Sequence, residues 1–268
     1  MKVSAIIPAY KDEYVHPTIQ SLLDNSELGD QLEVIVVFDD GGPEHPVTKD
    51  PRVFPIYSGK NRGMRDAINI GVAAARGQYI LRSDQHCAFA PGYDRILAHD
   101  LDENCPEQNW IMTTTRYFLN PETWTVMDKE PVNFEKLVIQ DNRKFSGARW
   151  RSRDEKLKDV PIAETMAMQG SMWIMPKSWW LDVIKSLRTD LYGQMYQDSH
   201  EMIFYTWKAG GKMILDKNTW FAHKHRKFVH GRHEGTRENP SLRGEAGLKC
   251  LEIWGDYYEK EVRPKWKV

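Results

Sequence analysis

Asp84 and His86 are spaced for metal chemistry. They close the stretch Gln78-Tyr79-Ile80-Leu81-Arg82-Ser83-Asp84-Gln85-His86-Cys87, a short apolar run that ends on an acid with a histidine two residues later. In an extended segment side chains alternate, so residues two apart share a side. A carboxylate and an imidazole together at a strand end are half of a divalent-metal site. An ordinary strand-end turn would put both in solvent, and Asp-x-His alone does not choose between the two. More candidates lie elsewhere. Asp39-Asp40-Gly41-Gly42 follows an apolar run and suits either a ligand's hydroxyls and N–H groups or a plain turn. Arg62 and Arg65 open a helical pattern, where they can pair with phosphates or stand in solvent. Asp198 and Glu201 are spaced as an N-cap and its capping-box partner, which would itself account for both. His223 and His225 can share a side of an extended segment, with His230 and His233 beyond them, and a basic solvated loop is the alternative.

Elements with short spacing must carry these residues. Val3–Ile7, Leu32–Phe38, Val53–Tyr57 and Tyr79–Ser83 read as buried strands. Helical spacing over Thr18–Leu23 and Arg65–Ala75 falls between them, the second closed by Gly77. Strands alternating with helices predict βαβ units and a mostly parallel sheet. In such sheets ligands bind beyond the carboxyl ends of the strands, where Asp39, Asp40, Asp84 and His86 all lie. Further on, Trp110–Thr113, Met172–Met175 and Lys212–Leu215 read as strands, the second entered through Gly170. Helices are expected from Pro91, over Asp198–Ala209 and over Ser241–Tyr258. Residues 116–160 mix aromatics, prolines and charge, including Arg143-Lys144 and Arg149-Trp150-Arg151-Ser152-Arg153. That insertion suits a phosphate-rich acceptor, even nucleic acid, or is a solvated variable loop.

Composition sets the outer limits. The chain has 268 residues, 41% hydrophobic and 28% charged, with a formal net charge of −1. That is enough for one large domain with a substantial core, and its overall field favours no class of partner. Cys87, Cys105 and Cys250 are odd in number and widely spaced, so they suggest neither a metal knuckle nor a disulfide framework, and a reducing compartment is expected. The apolar run at the start is too short for a signal peptide, and no segment reaches membrane-spanning length.

The order of motifs resembles the GT-A fold glycosyltransferases of family 2. The matching pieces are Ser4-Ala5-Ile6-Ile7-Pro8-Ala9-Tyr10, Val36-Val37-Phe38-Asp39-Asp40-Gly41, the segment from Asn61-Arg62-Gly63 through Ala67, Asn69 and Gly71 to Gly77, and Asp84-Gln85-His86-Cys87. The last is similar to the Asp-x-His of the retaining polypeptide N-acetylgalactosaminyltransferases, where Asp-x-Asp is more usual. The resemblance implies an α/β fold with a Rossmann-like, mostly parallel sheet flanked by helices and a C-terminal helical extension. It divides the chain into a transferase domain over 1–240, with a nucleotide-binding half (1–115) and an acceptor- and sugar-binding half (116–240), and a helical tail over 241–268.

For the site, the resemblance implies a nucleotide-sugar donor, UDP-linked, held by Pro8, Ala9, Tyr10, Asp39, Arg62, Gly63 and Arg65. It places Mn2+ (or Mg2+) on Asp84, His86 and His223, with His225 as the rival third ligand, and Arg226 on the diphosphate. Gly170 and Ser171 stand where a Gly-Gly contacts the donor sugar, and Ser171 departs from that pattern. Asp198 matches an acid that touches the sugar. Ser199 falls where inverting members carry their general base, and a serine takes no proton at neutral pH unaided. Retention is therefore expected, with His200 or Glu201 as the alternative bases of an inverting enzyme. The expected acceptor is a hydroxyl on a glycan, a peptide or a modified DNA base, in a bacterial cytosol or a phage-infected cell, without a membrane. Two other classes compete: a catalytically silent nucleotide-sugar-binding protein, and a nucleotidyltransferase. The latter wants a Gly-rich basic loop after the first strand, which Ala9-Tyr10-Lys11-Asp12-Glu13 does not provide.

Overall fold

Apolar residues alternate between two faces along the central strands, and this builds a three-layer molecule around one sheet. The computed structural model describes residues 1–39, 42, 48–141, 143–225 and 240–268. Its strands are β1 (Val3–Ala9), β2 (Leu32–Phe38), β3 (Val53–Tyr57), β4 (Tyr79–Ser83), β5 (Cys87–Phe89), β6 (Trp110–Asn120), β7 (Thr125–Val126), β8 (Glu135–Gln140), β9 (Lys144–Arg149), β10 (Ile162–Glu164), β11 (Met172–Pro176) and β12 (Lys212–His223). Its helices are α1 (Val15–Asp24), α2 (Met64–Ala74), α3 (Tyr93–Asn104), α4 (Arg151–Lys156), α5 (Lys177–Trp179), α6 (Thr189–Tyr192), α7 (Asp198–Lys208), α8 (Pro240–Tyr257) and α9 (Arg263–Trp266).

The sheet runs β10-β12-β6-β11-β4-β1-β2-β3, with β5 on β12 and β7 on β6. Strands β3, β2, β1 and β4 are mutually parallel, as are β6 and β12, and β11 runs antiparallel between the two sets. Every residue of β1, β2, β4 and β11 is buried, as expected of strands covered on both faces. Val3, Ala5, Ile7, Val34 and Val36 pack with Ile19, Leu22, Leu97 and Leu101 of α1 and α3. Ile6, Ile35 and Val37 face the other way, towards Ile68, Val72 and Phe204 of α2 and α7. Cys250, Trp254, Tyr258 and Val262 belong to that same second core, so the C-terminal helices pack into it.

Three expectations change. β6 continues to Asn120 rather than stopping near Thr113, because its pairing with β12 resumes after a register break between Asp216 and Trp220. The irregular-looking insertion contains a hairpin, β8–β9. Helix α7 starts at Asp198 with Gln197 as its cap residue, in a left-handed conformation and without a side-chain cap, so Asp198 and Glu201 do not form a capping box. Among the described residues no helix is long and apolar enough to cross a membrane.

Candidate metal and nucleotide site

The topology brings two distant histidines together. β5 pairs antiparallel with the end of β12, setting His223 opposite Cys87, and the Lys224 amide donates to the His86 carbonyl (3.1 Å). The turn after β4 is pinned by the Asp84 amide donating to the Ser171 carbonyl (2.8 Å). As a result one ligand atom from each of Asp84, His86 and His223 lies within 4.8 Å of the others. Asp84 Oδ2 is 3.1 Å from His223 Nε2 and 3.9 Å from His86 Nε2.

The electrostatics of this cluster suit a cation. His223 is buried, and among the described residues neither of its nitrogens has a hydrogen-bond partner; the approach of Nε2 to Asp84 is off the bonding direction. Burial lowers its pKa to about 4 despite the neighbouring carboxylate, so the ring is neutral at pH 7 and carries a bare lone pair. Burial alone would raise the Asp84 carboxyl, but Arg82, His223 and His86 outweigh it and hold the group well below the usual carboxylate range. A buried imidazole without partners, beside an ionised carboxylate and a second imidazole, is a donor set that fits a divalent metal.

The supporting residues are ones that sequence reasoning missed. Asp12 Oδ2 lies 3.1 Å from His86 Nδ1. A carboxylate accepts there, which favours the proton on Nδ1 and turns Nε2 towards the cluster. Gln85, the middle residue of the motif, accepts from the Tyr10 amide (2.7 Å) and donates to the Tyr10 carbonyl (3.3 Å), tying the end of β1 to the end of β4. Arg82 donates to Asp84 Oδ1 (2.6 Å). A lone charge within an apolar strand was the available signal for Arg82, because a buried charge needs a partner.

On the nucleotide side, Pro8 and Ala9 are buried at the end of β1, and the Asp39 amide donates to the Ala9 carbonyl (2.8 Å). Asp39 is buried, and its two carboxylate oxygens accept from the backbone amides of Arg62 (2.6 Å) and Gly63 (2.7 Å). It therefore shapes the loop into α2, while the Arg62 side chain is exposed. Gly63 has φ 89°, and a Cβ there would run into Gln194, so only glycine fits. Asp40 and Arg226 lie outside the described residues.

The defining pattern of "Glycosyl transferase family 2" matches residues 4–177, more than half of the chain. The chain belongs to glycosyl transferase family 2. Its fold is GT-A, and two solved structures show the likeness. One, described as GalNAc-T7 with UDP, GalNAc and Mn2+, superposes with a TM-score of 0.78 at 15% identity over 98% of this chain and 50% of that one. The other, S. aureus TarS, gives a TM-score of 0.59 at 13% identity over 84% of this chain and 37% of that one. The family 2 chain thus spans half the length of the first and little more than a third of the second. No curated protein matches its sequence.

Elsewhere in this family 2 site, Gly170 abuts α7: a Cβ on it would sit 3.0 Å from Asp198 Oδ2 and 3.5 Å from the Ser199 Cβ. Asp198 is buried and its Oδ2 has no hydrogen-bond partner among the described residues. The Ser171 hydroxyl donates to Gln169 Oε1 (3.0 Å). Arg65 and Glu201 do not reach this space. They pair with each other, both wholly enclosed, and Arg65 also donates to the Tyr196 carbonyl (2.7 Å).

The His225 ring packs edge-on to His223, with centroids 4.8 Å apart, but its polar partners differ. Its Nε2 accepts from Arg116 Nη1 (2.8 Å), whose Nη2 donates to Glu135 (3.3 Å), and it is not part of the Asp84 cluster. Its pKa is lowered to about 4, first by partial loss of solvent around a ring that keeps an exposed side, then by His223 and Arg116. The basic insertion is similarly engaged. Arg149 pairs with Glu130 (2.6 Å), Arg151 also reaches Glu130 (3.2 Å), and Arg153 bonds the Glu164 carbonyl while stacking on Phe134, Trp150 and Trp266.

Proposed function

We propose that this chain is a metal-dependent glycosyltransferase, moving a hexosyl or N-acetylhexosaminyl group from a UDP-sugar to an acceptor hydroxyl with retention of configuration. The observation that carries the reading is the convergence of Asp84, His86 and His223 at strand carboxyl ends, with the buried His223 nitrogens unpartnered. Family membership and a structural neighbour that holds UDP, GalNAc and Mn2+ support it.

Asp84, His86 and His223 would hold the cation, and two imidazoles favour Mn2+ over the harder Mg2+. Bound there, the cation supplies Lewis-acid neutralisation of the departing diphosphate. Asp12 fixes the His86 tautomer that presents Nε2. Tyr10, held by Gln85, and the Asp39–Gly63 loop frame the nucleotide, and Arg226 meets the diphosphate. Asp198, with an unpartnered buried oxygen close against Gly170, accepts a hydroxyl of the donor sugar.

No base stands at Ser199, and Glu201 is enclosed against Arg65. In the retaining reading, which gives His200 no role as base, the acceptor proton passes to the leaving diphosphate on the same face as attack and the anomeric configuration is preserved. The test is UDP release from a panel of UDP-sugars with Mn2+, repeated with EDTA, and NMR of the product anomer. Metal-dependent release and an α-linked product from an α-linked donor are expected. No release from any donor would leave a nucleotide-sugar-binding protein. A β-linked product would make the enzyme inverting.

A further inference from the structure

We propose that Arg82 makes cation capture depend on the nucleotide, so that the metal is held firmly only when a nucleoside diphosphate arrives with it. The inference rests on the metal site proposed above and adds the order in which that site fills.

The motif carboxylate is not wholly available to a cation. Asp84 Oδ1 accepts from Arg82 Nη2 at 2.6 Å, which leaves Oδ2 as the oxygen facing His86 and His223. Arg82 is itself sealed, with its side chain 2% exposed, and it sits two residues before Asp84 on the same strand face. Its Nη2 also touches the Met64 sulfur (3.3 Å) at the first residue of α2, the positive end of that helix. Its Nε and Nη1 have no hydrogen-bond partner among the described residues. So a buried cation has Asp84 as its ion-pair partner.

Within the cluster, Asp84 supplies the one carboxylate, and His86 and His223 supply imidazole nitrogens. The fixed charge of Arg82 offsets that of Asp84, so a divalent ion entering alone meets a weakened attraction and one free carboxylate oxygen, even with Asp12 behind His86. A diphosphate restores the missing negative charge and supplies further oxygen ligands. Cation and nucleotide therefore bind with positive coupling, which is reciprocal: each tightens the other by the same factor. Arg82 acts through Asp84 and touches neither ligand; it is a positioning residue.

The test measures Mn2+ binding, by the loss of the free-ion EPR signal, on the full chain with and without saturating UDP. Wild type should bind Mn2+ at least ten-fold more tightly with UDP. Arg82→Met should bind Mn2+ without UDP at least ten-fold more tightly than wild type and show a smaller UDP effect. Arg82→Lys, which keeps the buried charge, should retain the wild-type coupling and guards against a trivial loss of folding in the methionine variant. Equal Mn2+ affinity of wild type with and without UDP would overturn the proposal, as would a lysine variant that loses the coupling or a folded methionine variant that binds no tighter. If wild type binds no Mn2+ even with UDP, the metal site itself falls and takes this inference with it.

Discussion

Arg65 on α2 and Glu201 on α7 form an ion pair with both side chains fully enclosed. The guanidinium also bonds the Tyr196 carbonyl and lies over the Tyr192 ring, and the second Glu201 oxygen accepts from the Arg188 amide (3.3 Å). Burial raises the Glu201 pKa, although Arg65 opposes it. This pair locks α2 to the segment that leads into Asp198. Removing one partner strands a buried charge, so Glu201→Ala or Arg65→Met should each cost about 3–5 kcal/mol in urea unfolding. Arg65→Met with Glu201→Leu should recover much of that. In the folded fraction of the double variant transfer activity should persist, as it would not if Glu201 were the base.

Asp12 has a narrower effect. It holds His86 Nδ1 from outside the cluster, and such partners set ligand orientation and basicity. Asp12→Asn should weaken Mn2+ binding by about 10–100-fold, read by calorimetry with UDP present, with an unchanged melting temperature.

The two histidines at the end of β12 should separate cleanly. His223 stands in the cluster with both nitrogens unpartnered, whereas the Nε2 of His225 is taken by Arg116. His223→Ala should abolish measurable Mn2+ binding, and His225→Ala, which loses a charge-assisted bond to Arg116 outside the cluster, should change it far less. The reverse ranking would assign the ligand to His225.

Much of this site was legible because strand ends are legible. Four apolar runs, each closed by a turn signal, located Asp39, Asp84 and His86, and the motif order supplied His223. The counterions were not. Arg65 and Glu201 are 136 positions apart, and nothing local says that they cancel each other rather than face a ligand. Gln85 and Asp12 look like loop polars until the ends of β1 and β4 are seen side by side. The bulge at Asp216 was equally hidden, although it lets β12 run on to place His223 at its tip.

That bulge should confer a pH dependence unrelated to catalysis. Asp216 is fully buried and its pKa rises to about 7, by burial first, with the Asn218 amide opposing and the nearby Asp100 adding to the rise. The folded chain therefore keeps a proton that the unfolded chain releases near pH 4, and stability should fall as pH rises from 4 through 7. Asp216→Asn should remove this decline, gaining on wild type by on the order of 2–4 kcal/mol between pH 5 and pH 8. Thermal melts across that range check it.

The central claim is that Asp84, His86 and His223 hold a divalent cation on a nucleotide diphosphate. Crystals grown with UDP and Mn2+, with diffraction collected on both sides of the manganese edge, test it without recourse to activity. One strong anomalous peak is expected within coordination distance of Asp84 Oδ2, His86 Nε2 and His223 Nε2, beside the diphosphate oxygens. A bound diphosphate with no anomalous peak among these three residues, or a peak on other ligands, would contradict it.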